Sequence, residues 1–195
     1  MAAIHLTRSG AILAGGQATR FGGRDKSALL VDGRAILDRQ LAALTPAVDD
    51  VLIVGGARAT VHDIVPGCGP LGGLHTALTA MRGDAVLLVA CDMPYLSTPF
   101  LAYLLSLAAA ADIVVPRTER GYHPLCAVYT RACLEPAAVR LADRRLRLRE
   151  LVDSMRTRVV SIDEIRQFGD PDRLLANVNT PTDYAGLETL QGHKL

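Results

Sequence analysis

The chain lacks the charge excess, the cysteine spacing and the apolar length that would assign it to several broad classes at once. Its formal net charge is +1, with 21 Lys and Arg against 20 Asp and Glu. A binder of nucleic acid or of anionic membrane surface would normally need a basic excess, so any anion must be held locally. The four cysteines, Cys68, Cys91, Cys126 and Cys133, show no CxxC pattern, and Cys91 ends an apolar run that reads as a buried strand. That spacing speaks against a zinc site or a disulfide framework. No apolar run reaches membrane-spanning length, and Met1 to Ser9 is too poor in consecutive apolar residues for a signal peptide. The expected setting is the reducing cytoplasm. There is no Gly-x-Ser-x-Gly elbow, the five histidines have no catalytic spacing, and no repeat or low-complexity segment occurs, so no covalent nucleophile stands out.

Half of the 195 residues are hydrophobic, enough for one domain with a substantial core. Apolar runs alternate with segments of helical period. The runs are continuous, as in parallel strands covered on both faces. The predicted class is α/β, with a mostly parallel sheet and an antiparallel strand. Strands are expected near Gly10 to Ala14, Val51 to Gly55, Ala85 to Cys91 and Asp112 to Pro116. Helices are expected near Ala35 to Leu44, Leu71 to Met81 and Pro99 to Ala110, the last capped by Ser97 or Thr98. Beyond Pro116, a turn at Gly121 feeds Leu125 to Thr130, which reads as a strand entering from a loop and running antiparallel. Helices around Leu134 to Leu141 and Leu146 to Met155, a strand near Arg158 to Ser161 and a terminal helix from about Pro181 complete the reading.

The segment richest in chemistry is Leu13-Ala14-Gly15-Gly16-Gln17-Ala18-Thr19-Arg20-Phe21-Gly22-Gly23-Arg24-Asp25-Lys26. Glycines let backbone N–H groups approach phosphate oxygens, and Arg20 and Lys26 add charge. It is not a Walker loop, because Asp25 rather than glycine precedes Lys26. Nor is it the dinucleotide fingerprint, because Gly15 and Gly16 are adjacent and the next glycine is Gly22. An ordinary strand-to-helix turn is the competing account.

Asp92 follows the run Ala85 to Cys91, at a strand end where open α/β sheets bind ligands and where a carboxylate can hold a divalent cation. A turn-forming aspartate before Pro94 is the alternative. A second glycine cluster, Gly67-Cys68-Gly69-Pro70-Leu71-Gly72-Gly73, enters a helix, where each interior glycine costs about 1 kcal/mol relative to alanine. Either a ligand or tight helix-to-sheet packing would account for it. Asn177 and Asn179 alternate, so both amides share one face of an extended segment just before Thr180-Pro181. The arginine-rich stretch Arg140 to Arg149 reads first as a solvated helix face and second as an anion receiver.

With these motifs in order, the chain resembles the molybdenum cofactor guanylyltransferases of the MobA-like nucleotidyltransferase family, from about Gly10 to Tyr184. The likeness rests on Leu13 to Lys26, Gly69 to Gly73, Cys91 to Pro94 and Asn177 to Pro181. It implies a Rossmann-like nucleotidyltransferase fold, three-layer α/β/α, and transfer of GMP from GTP to molybdopterin carrying molybdenum, with release of pyrophosphate. It also implies a single nucleotidyltransferase domain over 1–195, binding nucleotide through about 10–116 and acceptor through about 117–190. Molybdenum-insertion proteins and acceptor molybdoenzymes are the further partners it suggests.

Carried over by position, the resemblance assigns nucleotide contacts to Leu13, Ala14, Gly15, Gly16, Gly23, Gly55, Asp63, Gly69 and Gly73. Phosphate binding falls to Lys26 with help from Arg20, Mg2+ to Asp92, and the metal and molybdopterin side to Asn177 and Asn179. Two departures stand out. Phe21 replaces a usual methionine, and Val54-Gly55-Gly56 lacks an asparagine that some members place at the second strand's end. Cytidylyl transfer to the same cofactor, or transfer to a sugar 1-phosphate, therefore stays open beside the guanylyl reading.

Overall fold

The computed structural model describes residues 7–15 and 26–178. Strands are β1 (Arg8–Leu13), β2 (Leu30–Val31), β3 (Arg34–Ala35), β4 (Asp50–Val54), β5 (Ala85–Ala90), β6 (Ile113–Thr118), β7 (Gly121–Tyr122), β8 (Cys126–Thr130) and β9 (Thr157–Val160). Helices are α1 (Ile36–Leu44), α2 (Gly69–Ala80), α3 (Thr98–Ser106), α4 (Leu134–Ala142), α5 (Leu148–Ser154), α6 (Ile162–Arg166) and α7 (Pro171–Leu174).

The main sheet runs β4-β1-β5-β8-β6-β7, with β9 alongside β6. Strands β4, β1 and β5 are mutually parallel. Strand β8 lies antiparallel between β5 and β6, and β9 pairs parallel with β6. This is the mixed α/β sheet the alternation of apolar runs predicts.

Why the runs are continuous is visible in β5, whose six residues are all buried. Ala85, Leu87 and Val89 enter one apolar cluster with α1, α3 and Ile165, while Val86 and Leu88 enter another with α2, α4 and α5. Alternate side chains thus face two helical layers, and each fully buried Leu or Val contributes about 1.5–3 kcal/mol. A charged residue at Leu87 would leave an unpaired charge in the first layer and unfold this half.

Local signals set several ends. Ser97 is the N-cap of α3 with proline in the first turn, but its hydroxyl makes no capping bond. Helix α6 opens on a capping box in which Ser161 and Glu164 satisfy each other's backbone N–H groups. The small β2–β3 hairpin was not expected, yet its Asp32-Gly33 turn has positive φ at both residues, the signature of a tight hairpin. The stretch Arg140 to Arg149 is two helices and a turn rather than one solvated face. Arg140 is buried and its guanidinium joins α4 to α5, donating to the Glu150 carbonyl at 2.8 Å and to Ser154 Oγ at 3.0 Å. No helix among the described residues is long and apolar enough to cross a membrane. The four cysteines are free thiols, Cys91 lying half-buried just past β5 rather than inside it.

Candidate active site

Parallel pairing aligns the carboxyl ends of β4, β1 and β5 at one edge, and the loops leaving that edge are joined by backbone bonds. Ala14 N and Gly15 N both donate to the Val54 carbonyl, at 2.9 and 3.2 Å. Gly55 and Gly56 then turn with φ of +71° and +76°. A Cβ on Gly55 would lie 2.9 Å from Gly15 Cα, and one on Gly56 would lie 2.9 Å from the Ala14 carbonyl oxygen. Both the left-handed conformation and the crossing of the two chains therefore require glycine. This is the physical reason that Val54 is followed by Gly55-Gly56 where the resemblance led to an asparagine.

Asp63 faces that crossing. Its Oδ2 is 3.7 Å from the position a Cβ on Gly15 would take and 3.9 Å from the corresponding position on Gly55. The segment carrying it is pinned on both sides. Thr60 Oγ1 accepts from Ile53 N at 2.9 Å and Gly55 N donates to the Val61 carbonyl at 3.1 Å, while Ile64 N donates to Thr76 Oγ1 on α2 at 3.0 Å. A half-buried carboxylate is thus held over the first glycine turn.

The second glycine cluster divides between two tasks. Gly69 has φ +57° and open space where a side chain would stand, at the first position of α2. Gly72 and Gly73 are buried, and a Cβ on Gly73 would come within 2.8 Å of Leu13 Cδ2. Packing of α2 onto β1 accounts for Gly73. The side chain of Leu13 is consumed in the same contact, and its carbonyl accepts from Cys91 N at 3.1 Å, tying β1 to the end of β5.

Asp92 is half-buried in the loop that leaves β5, and its carbonyl accepts from Val178 N at 2.9 Å. That bond carries the exposed Asn177 to the same edge. Val178 is itself buried with Val31 and Ile36, which anchors the returning chain. Lys26 opens a 3-10 turn, Lys26–Ala28, and only its backbone is described. Gly16, Arg20, Gly23 and Asn179 lie outside the described residues. The structure therefore brings together Ala14, Gly15, Gly55 and Asp63 on one side and Asp92 with Asn177 on the other, with Leu13 between them.

Arginines border α2 and the hairpin beside β6: Arg144 and Arg149 come from the arginine-rich stretch, and Arg117 on β6 joins them. Arg144, with φ +58°, aims Nη1 at Cys68 Sγ, 3.8 Å away, just ahead of Gly69. Arg117 and Arg149 lie over the Tyr122 ring, at 5.5 and 6.0 Å from its centroid. In the same hairpin, His123 Nε2 is 2.9 Å from Thr118 Oγ1, and burial, with Arg120 nearby, holds its pKa below the ordinary histidine value. The signal for this grouping in the sequence was the repeated arginine itself.

Among the described residues no three His, Cys, Asp or Glu side chains cluster as a metal cage. A single strand-end carboxylate suits a hard cation that takes its remaining ligands from substrate phosphates and water.

The chain is similar to known proteins in both sequence and fold. Residues 10–159 match the family model described as a MobA-like NTP transferase domain. A probable molybdenum cofactor guanylyltransferase of Pelotomaculum thermopropionicum is 32% identical over 186 residues, covering 91% of this chain and 90% of that relative. In fold, the chain is similar to the molybdopterin-guanine dinucleotide biosynthesis protein A of Archaeoglobus fulgidus, with TM-score 0.81, 20% identity and coverage of 94% of this chain and 98% of the other. A Mycobacterium tuberculosis H37Rv protein solved as a complex with manganese shares the fold at TM-score 0.66 and 20% identity, over 93% of this chain and 97% of its own.

Proposed function

The chain belongs to the MobA-like NTP transferase family and is a nucleotidyltransferase, and from that premise we propose that it transfers GMP from GTP to molybdopterin carrying molybdenum. The acceptor's phosphate oxygen forms a bond to the α-phosphorus of GTP as the bond from that phosphorus to the bridging oxygen breaks. The products are the guanine dinucleotide cofactor and pyrophosphate. Because a phosphate oxygen is already an anionic nucleophile at neutral pH, no general base is required, and catalysis rests on positioning and charge neutralisation.

The observation that carries this reading is the joining of two loops at one sheet edge. The glycine turn sits under Asp63, and the Asp92 loop is tied to β1 through Cys91 N and the Leu13 carbonyl. In the proposed roles, backbone around Ala14 and Gly15 receives the nucleotide, with Gly16, Gly23, Gly55 and Gly69 extending the cradle. Asp63 accepts from the base's exocyclic and ring N–H donors. Lys26, aided by Arg20, neutralises the phosphates. Asp92 holds Mg2+, and Asn177 and Asn179 complete the metal and acceptor side. When bound, the cation supplies charge neutralisation along the triphosphate and to the leaving pyrophosphate.

The nucleotide is held within about 10–116 and the acceptor within about 117–190, where the arginines beside Gly69 and Tyr122 offer an anion-friendly border. Free thiols at all four cysteines suit a cytoplasmic setting. Molybdenum-insertion proteins and acceptor molybdoenzymes are the further partners this reading proposes, as sources of the acceptor and recipients of the product.

The test is pyrophosphate release from purified protein given molybdopterin with GTP or CTP, and given a sugar 1-phosphate as the rival acceptor. GTP with molybdopterin should be the productive pair. Equal rates with CTP would move the reading to cytidylyl transfer, which the Gly55-Gly56 substitution leaves open. Asp92→Ala should lower metal-dependent turnover about 10^3-fold, the scale of removing a principal charge-stabilising group.

A further inference from the structure

Gln40 is 2% exposed, on the buried face of α1, among Ile36, Leu37, Ala43 and Leu44. A hydrocarbon would fill that position without the cost of burying an amide. Its Nε2 donates to two carbonyls, that of Ala90 at the end of β5 and that of Met93 at 3.2 Å. Only Cys91 and Asp92 lie between those acceptors. Both partners are acceptors, so the amide must present its NH2 to them. The preceding residue extends the hold: Arg39 Nε donates to the Pro94 carbonyl at 3.0 Å, and its Nη1 donates to the Val31 carbonyl at 3.1 Å and to Asp32 at 2.9 Å.

We propose that Gln40 is a positioning residue, whose carboxamide brackets Asp92 by gripping the backbone on either side of it, with Arg39 steadying the far end of the loop. A parallel strand fixes Asp92 only up to Ala90. Beyond that point the chain leaves the sheet, held by Cys91 N on the Leu13 carbonyl and Val178 N on the Asp92 carbonyl, and the one buried amide on α1 adds a grip on both flanks of Asp92. An element that contributes no group to the site, α1, therefore shares in setting where the Asp92 loop stands relative to the Gly15 turn. The inference rests on the role given to Asp92 under the proposed function, but the placement of the loop can be measured without it.

The decisive variant is Gln40→Met, which keeps length and volume while removing both donors. Hydrogen exchange of nucleotide-free protein should quicken about tenfold at amides between Cys91 and Ser97, with β1 and β6 unchanged. In turnover with GTP and Mn2+, kcat should fall about 10- to 100-fold at nearly constant nucleotide KM, as expected when a reacting group is misplaced by a fraction of an ångström. The Mn2+ concentration for half-maximal rate should rise in parallel. Gln40→Glu, which sets a carboxylate against two carbonyls, should be worse than methionine.

Wild-type exchange and wild-type kcat in Gln40→Met would overturn the proposal, as would faster exchange spread evenly over the whole protein. Should that variant fail to fold, Arg39→Met at the half-buried neighbouring position must still loosen Pro94 to Ser97, and unchanged exchange there would overturn it equally. Failure of the functional reading has a different signature: no turnover by the wild type, and Mn2+-nucleotide binding unaffected by Asp92→Ala.

Discussion

The two halves of the sheet are held in different ways. Around β4, β1 and β5 the loops are fixed by backbone bonds and glycine contacts, as where Ala14 and Gly15 meet Val54 and Gly55 crosses Gly15. Among the described residues, ion pairs in this half are the exposed Arg58–Asp38 and the partly exposed Arg39–Asp32. Around β6 and β9 the connections are guanidinium to carboxylate or carbonyl: Arg140 to Glu150, Arg156 to Asp112 and Arg158 to Glu164. In the half that would receive a polyanion, Ala14 N, Gly15 N and Gly55 N are bonded to carbonyls, so the glycine turn is fixed by its own backbone, while Gly69 leaves open space at the start of α2. In the other half arginines join helix to helix, strand start to strand start, and strand to helix.

Substitutions sharpen this contrast. The largest effect is expected from Gly55→Ala, which adds a Cβ 2.9 Å from Gly15 Cα at φ +71°. It should cost about 2–4 kcal/mol in urea unfolding and abolish nucleotide binding by calorimetry. Next is Arg140→Met, which removes the guanidinium bonds to the Glu150 carbonyl and to Ser154 Oγ and should cost about 2–3 kcal/mol while leaving nucleotide affinity near wild type. An Arg140 variant that lost nucleotide binding in proportion to stability would break the distinction between the halves.

Glu164→Gln should cost about 1 kcal/mol, since its carboxylate accepts from Arg158, from Tyr103 and from the Ser161 backbone. Arg158 foremost, with Tyr103 and Ser161, lowers the Glu164 pKa from its ordinary 4.5 to about 2. A lowered folded-state value means the contribution is complete above pH 4.5 and is lost as pH falls from there toward 2. Acid unfolding of the wild type and the Gln variant should therefore converge across that window. The smallest effect belongs to Arg58→Ala, an exposed pair with Asp38, which should change stability by less than about 0.5 kcal/mol.

Much of this was legible in the chain itself. The continuous apolar run Ala85 to Cys91 reads as a buried strand, and the turn at Gly121 leads into a strand, Leu125 to Thr130, expected to run antiparallel, as β8 does. The resemblance implied Asp92 as a metal ligand with Asn177 and Asn179 on the metal and acceptor side, and in the fold Val178 N, next to Asn177, donates to the Asp92 carbonyl. What stayed hidden depends on partners distant in sequence. Nothing near Gly55 reveals that Gly15 will cross it, and nothing near Gln40 or Arg140 reveals that their polar ends will find carbonyls at Ala90, Met93 and Glu150. The Asp32-Gly33 turn is the exception, a local signal that was present and passed over.

The intercalation of β8 between β5 and β6 sets an order of events during synthesis. Strands β4, β1 and β5 can associate once about Ala90 has been made, but the outer edge of β5 has no neighbour until Cys126 to Thr130 arrive. For that interval a six-residue, wholly apolar strand offers its free N–H and C=O groups to any other chain. A nascent or proteolysed product ending before Cys126 should accumulate in inclusion bodies, and a ribosomal pause in the stretch between β5 and β8 should lower the yield of native enzyme.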